Sequence, residues 1–116
     1  MITVQNTFHL LSESKSEAID LMKNMVLLCR KEQGCISYEY FEGITDSNQI
    51  ILLQEWENAE SLQGHYQTEH MNDFMSQLIH HLEKPIITRS YFTQKEDVSG
   101  ATKKSSEKPN PQQTIH

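Results

Sequence analysis

The sequence predicts an α+β fold of the ferredoxin-like kind, with strands and helices in the order β-α-β-β-α-β and a four-stranded antiparallel sheet. Three observations predict it. Apolar residues recur at period two in four stretches, and at helical spacing in the stretches between them. Caps and turn residues stand at the boundaries.

In "ITVQNTFHLL", Ile2, Val4, Phe8 and Leu10 share one face of a first strand, with Asn6 among them. A helix follows, in which Ala18, Ile19, Met22, Met25, Val26 and Cys29 form an apolar stripe. Ser14-x-x-Glu17 reads as a capping box at its start, and Gly34 as its stop. "CISYEYFEGI" and "QIILLQEWE" read as two strands joined by the polar turn Thr45–Asn48. Asn58 reads as the N-cap of a short helix near 59–66, and Thr68 as the cap of a second piece. In that piece Met71, Phe74, Met75, Leu78 and Leu82 make a stripe that Pro85 ends. "IITRSYFTQ" is the last strand.

Both helical regions of this plan lie on one face of the sheet. Ile50, Ile51, Leu52 and Leu53 are nonetheless apolar on both sides of their strand, so the other face also needs a cover. A second copy of the sheet is the simplest one, and we expect a face-to-face homodimer.

Composition excludes several function classes. The net charge is -6, with 10 Lys+Arg spread along 116 residues, which argues against nucleic acid or a membrane surface as partner. Hydrophobic content is only 36%, partly because residues 96–116 hold just Val98, Ala101 and Ile115 as apolar side chains. That segment cannot bury enough surface to offset its ordering entropy, so we expect a domain at 1–95 and a disordered polar tail at 96–116. No signal peptide is visible in "MITVQNTFHLL", and no apolar run nears the roughly 20 residues of a membrane span. Cys29 and Cys35 are too few for a disulfide framework, which points to a reduced cytoplasmic setting.

Three motifs carry a family resemblance: "EQGCISYEYF" at the second strand, "LLQEWEN" with its Glu-x-Trp, and "LQGHYQTEHMNDF" with His-x-x-x-x-His. In this order the chain resembles the antibiotic biosynthesis monooxygenase domain over about residues 1–93. The resemblance implies a dimeric α+β barrel with a pocket between sheet and helices in each subunit. It also implies a choice of activities: cofactor-independent oxygenases of quinols and phenols, haem-degrading enzymes, and an isomerase of a phosphorylated signalling sugar. The haem-degrading branch pairs a strand-one Asn with a helix Trp and a later His. Here His65 and Met75 stand at those two places, which argues against haem.

His65 and His70 are the first candidates for chemistry. Zinc sites on one helix favour i, i+4 spacing, whereas these two are five residues apart. On an unbroken helix they diverge by roughly 140°, and they converge only if the helix breaks near Thr68. His80 and His81 are adjacent, and no third ligand stands at a recognisable spacing, so no metal is expected. His70 lies on the border of the apolar stripe and reads as packing; at the family's pocket it would contact substrate. His65 is either a solvated helix terminus or, as the resemblance implies, a base at the pocket. Asn6 is either a buried amide satisfied by backbone or a polar hook for a substrate oxygen. Glu55 and Trp56 point to opposite faces of their strand, so only one lines the pocket. Arg89 is the natural partner for an inward Glu55, and Tyr38, Tyr40 and Tyr91 are open to either side. Phe74 and Met75 read as core.

No nucleotide motif or phosphate loop is present, and no organic cofactor is expected. The resemblance therefore implies oxidation of a small-molecule substrate such as a quinol by dioxygen, with His65 as base, Asn6 as hook, and Trp56 and Phe74 as walls. Two alternatives stand beside it: isomerisation of a small phospho-sugar, and a non-catalytic module that binds a small molecule.

Overall fold

In a computed structural model the structure describes residues 1–92. The proposed tail at 96–116, and the last residues of the proposed 1–95 domain, lie outside the described residues. The elements are β1 (Ile2–His9), α1 (Lys15–Cys29), β2 (Cys35–Glu42), β3 (Gln49–Trp56), α2 (Ala59–Tyr66), α3 (Glu69–Leu78) and β4 (Ile87–Phe92). The four strands form one antiparallel sheet in the order β2-β3-β1-β4, the ferredoxin-like arrangement predicted.

Register explains the core. Ile2, Val4, Asn6 and Phe8 pair with Trp56, Gln54, Leu52 and Ile50, so these eight side chains share one face. Tyr38 and Tyr40 join them from β2, opposite Gln54 and Leu52. Met22, Met25 and Cys29 of α1 and Phe74 and Leu78 of α3 close over this face and are buried with it. The opposite face carries Glu55, Leu53 and Ile51 from β3, with Phe41 on β2 and Arg89 and Tyr91 on β4. Phe41 and Leu53 stay exposed there.

Two local expectations are corrected. The Ser14 capping box does not form: Ser14 makes no side-chain cap bond, and its hydroxyl meets Nδ1 of His81 at 2.8 Å instead. A 3-10 turn at Ile79–His81 ends the second helical piece before Pro85 is reached. The region after Trp56 forms two helices, as the sequence predicts: Asn58 Oδ1 accepts from Ser61 N at 2.9 Å, and Thr68 Oγ1 accepts from Met71 N at 3.2 Å. Both caps fall where their residue types predict, and the break between them sets the geometry of the site.

Candidate functional site

The chain leaves α1 through Arg30, and Glu32 N donates to Cys29 O at 3.0 Å, which keeps Glu32 beside the helix end. Gly34 then turns the chain at φ 83, a conformation glycine adopts freely. A Cβ there would run into the Ser61 side chain, so glycine also lets this turn dock against α2. Gly34 O accepts from Glu57 N at 2.9 Å, which ties the turn to the end of β3. Glu32 is thereby brought under the α2–α3 junction.

At that junction α2 ends at Tyr66 and Thr68 restarts the helix with φ -75, ψ 154. The break rotates α3 relative to α2, and His65 and His70 now face the same carboxylate. Nδ1 of His65 lies 3.0 Å from Oε1 of Glu32, and Nε2 of His70 bonds to Oε2. His70 is thus not simple border packing but a partner of Glu32. His65 is not a solvated helix end either, since it is 1% exposed.

An ionised carboxylate only accepts, so in this geometry Nδ1 of His65 carries the proton and Nε2 holds the free lone pair. Nε2 is buried and has no hydrogen-bond partner. The ring lies against Trp56, with centroids 4.8 Å apart, and meets Tyr38 edge-on at 5.7 Å. Burial lowers the His65 pKa from its ordinary 6.5, and the Glu32 charge opposes that shift without overcoming it. His65 is therefore held neutral near pH 7, in the tautomer that can take a proton at Nε2.

Trp56, not Glu55, faces the helices. Its Nε1 donates to Oε1 of the buried Gln54 at 2.8 Å. Gln54 Nε2 donates to Asn6 Oδ1 at 2.8 Å, and Asn6 Nδ2 donates to Thr88 Oγ1 at 2.9 Å. Asn6 is thus satisfied by side chains rather than by backbone, and one bond from each end of its amide is already committed. Glu55 lies on the opposite face, where Ser37 Oγ donates to it at 2.9 Å. Phe74 is buried in the core cluster that also holds Trp56. The structure therefore gathers His65, His70 and Trp56 around one corner, joins Asn6 to them through Gln54, and leaves Phe74 as core.

Two residues of this arrangement escaped the sequence reading. Glu32 lies 33 positions from His65 in a polar stretch with no periodicity to mark it. Gln54 did carry a signal, because period two places it between Leu52 and Trp56 on an otherwise apolar face.

Glu32 also supplies a third metal-ligand type that the sequence did not reveal. Single ligand atoms of Cys29, Glu32 and His70 lie within 4.8 Å of one another. Burial pushes the Cys29 thiol up to about 12, which keeps it protonated, and both Glu32 oxygens are taken by histidines. The donor set thus fits a hydrogen-bonded cluster better than a metal site.

A cavity of about 400 Å³ opens at this corner, lined by His65, Glu32, Glu57, Glu60 and Gly64 among others. A larger groove of about 1060 Å³ runs between α1 and β2; of the expected site residues His65 lines the corner cavity, while Asn6, Trp56, Phe74 and His70 line neither space.

The family description "Antibiotic biosynthesis monooxygenase" matches residues 1–77. This chain belongs to the antibiotic biosynthesis monooxygenase family. It is 30% identical over 90 residues to the uncharacterized protein sll1783 of Synechocystis sp., covering 78% of this chain and 61% of that one. The chain thus spans less than two thirds of that relative. YcnE of Bacillus subtilis, named as a candidate monooxygenase, is 25% identical over 76 residues, 66% of this chain and 80% of its own. Rv0793 of Mycobacterium tuberculosis has the same fold, with a TM-score of 0.77 at 21% identity over 82% of this chain and 96% of its own. Among the described residues no helix is long and apolar enough to cross a membrane.

Proposed function

We propose that this chain is a cofactor-independent monooxygenase that oxidises a small hydroxylated aromatic, such as a quinol, with dioxygen. Family membership supports the reaction class, and the buried, unpartnered Nε2 of His65 carries the assignment of the base. Nε2 takes the proton of a phenolic hydroxyl, and the electron-rich anion then reduces dioxygen directly. One oxygen atom enters the ring and the other leaves as water, so a quinol becomes a hydroxylated quinone and supplies both electrons. Glu32 holds the imidazole in its tautomer and stabilises the imidazolium that forms, as an orienting carboxylate does in other histidine-based sites.

Trp56 walls the site beside His65. Asn6, with one N–H and one lone pair left over, serves as the oxygen hook, and the partly exposed His70, which shares Glu32 with His65, contacts substrate. The bare sheet face, with Phe41 and Leu53 exposed, supports a homodimer through that face, and the free thiols Cys29 and Cys35 fit a cytoplasmic setting. Phospho-sugar isomerisation is less well supported, because Glu32, Glu57 and Glu60 at the cavity repel a phosphate.

An oxygen electrode with a panel of quinols tests the proposal. We expect uptake that depends on the protein and is lost in His65→Ala. Binding without uptake across the panel would instead leave a non-catalytic small-molecule module.

A further inference from the structure

Two imidazoles meet one carboxylate at the α2–α3 break, and they reach it from different surroundings. The side chain of His65 is fully buried, that of Glu32 is 12% exposed and that of His70 is 28% exposed. Nδ1 of His65 holds Oε1 and Nε2 of His70 holds Oε2, so each ring takes one oxygen of the same group. An ionised carboxylate only accepts, so Nε2 of His70 carries a hydrogen whether that ring is neutral or charged. The oxygenase reading gives Glu32 one task, holding His65, and leaves its second bond without one.

The other titratable side chains around the pair stay neutral near pH 7. Burial pushes up the phenols of Tyr38 on β2 and Tyr66 on α2, which both face His65. It also pushes up the thiols of Cys29 on α1 and Cys35 on β2, which feel the Glu32 charge. Arg30 is engaged by Glu39 and by Tyr38 O. Glu57 and Glu60 border the cavity beside His65, but they are exposed and bond to neither ring. The charge on His65 is therefore decided by burial, which lowers its pKa most, by Glu32, which raises it, and by His70, which lowers it.

We propose that His70 is a positioning residue for His65: through the shared Glu32 it sets how readily the buried ring takes a proton, and a charged His70 makes that ring the weaker base. The role of His65 as base rests on the oxygenase reading, whereas the coupling of the two rings rests on the shared carboxylate alone. A neutral His70 lends Glu32 a hydrogen bond and leaves its charge to His65. A protonated His70 pairs with that charge and opposes a second cation on the same carboxylate. Histidine changes charge near neutral pH, so the more exposed ring passes the acidity of the solvent to the buried base.

Ring ¹⁵N shifts of His65, followed in the full chain without substrate from about pH 8 down to about pH 5, test this. Coupled rings titrate in two steps, so the His65 curve should carry a second inflection where His70 titrates. His70→Gln keeps an N–H donor without the charge and should leave a single step. His70→Lys fixes the charge and should give a single step at lower pH than the glutamine variant. His70→Phe removes donor and charge together and should give the highest midpoint of the three. The glutamine and lysine variants place polar chains of similar size at a partly exposed site, so their comparison stands without the phenylalanine one. A contact to substrate alone would change KM and leave this ligand-free titration as it is. A one-step native curve, or equal His65 midpoints in the glutamine and lysine variants, would overturn the proposal. Oxygen uptake from hydroquinone, measured in parallel, separates the two readings. Uptake that needs His65, with a His65 titration indifferent to position 70, removes this inference and keeps the oxygenase. The ordered titration without uptake from any quinol does the reverse.

Discussion

The groove between α1 and β2 encloses about 1060 Å³ and the α2 corner about 400 Å³, yet their polar groups are placed in opposite ways. The groove is bordered by surface ion pairs, Lys15 with Glu42 and Arg30 with Glu39, whose side chains remain wet. The corner holds a neutral histidine, a carboxylate 12% exposed and an indole fixed by a buried amide. Burying polar groups costs free energy unless each is paired, so an arrangement that keeps them buried, and leaves one lone pair open, is the more informative. Volume and buried polar chemistry thus single out different parts of the molecule.

The largest expected effect that separates the two regions is on turnover. His65→Ala should lower oxygen uptake by about 10²–10⁴-fold, the usual contribution of a positioned base. Leu27→Gln, at an exposed position in the groove, should leave uptake unchanged. Equal losses in both variants would erase the distinction.

Stability comes next. Glu32→Ala strands the buried Nδ1–H of His65 and should destabilise the chain by about 1–3 kcal/mol in urea unfolding. Lys15→Ala breaks an ion pair with one half-exposed partner and should cost no more than about 1 kcal/mol.

The pH dependence is smaller and has a definite sign. Burial holds the folded His65 pKa below 6.5, so at low pH the unfolded chain binds a proton that the native state resists. The stability that neutral His65 contributes is complete above about pH 6.5 and is lost as pH falls through the lower folded value. Denaturant midpoints measured from about pH 7.5 down to 5 should fall, and His65→Gln should flatten that slope. A slope unchanged in His65→Gln would assign the acid sensitivity elsewhere.

The sequence made the fold legible because period two, helical spacing and the Asn58 and Thr68 caps are local signals, and each element stands where they put it. The Ser14 cap failed for a tertiary reason: His81, 67 positions away, takes its hydroxyl. The site was legible only in part. His65 and Trp56 could be singled out, but their convergence with Glu32 depends on a helix break, a glycine turn and a long chain excursion acting together. No spacing rule encodes that combination. The sequence foresaw that a break near Thr68 would let the two histidines converge; what it left out was the carboxylate on which they meet.

The central claim is that Glu32 fixes His65 as a neutral imidazole protonated at Nδ1, with its lone pair at Nε2. Long-range ¹H–¹⁵N correlation spectra of the full chain near pH 7.5 read this directly. The account predicts a protonated Nδ1 and an unprotonated Nε2 at His65, with that preference lost in Glu32→Ala. An Nε2-protonated tautomer, or an imidazolium at that pH, would contradict it.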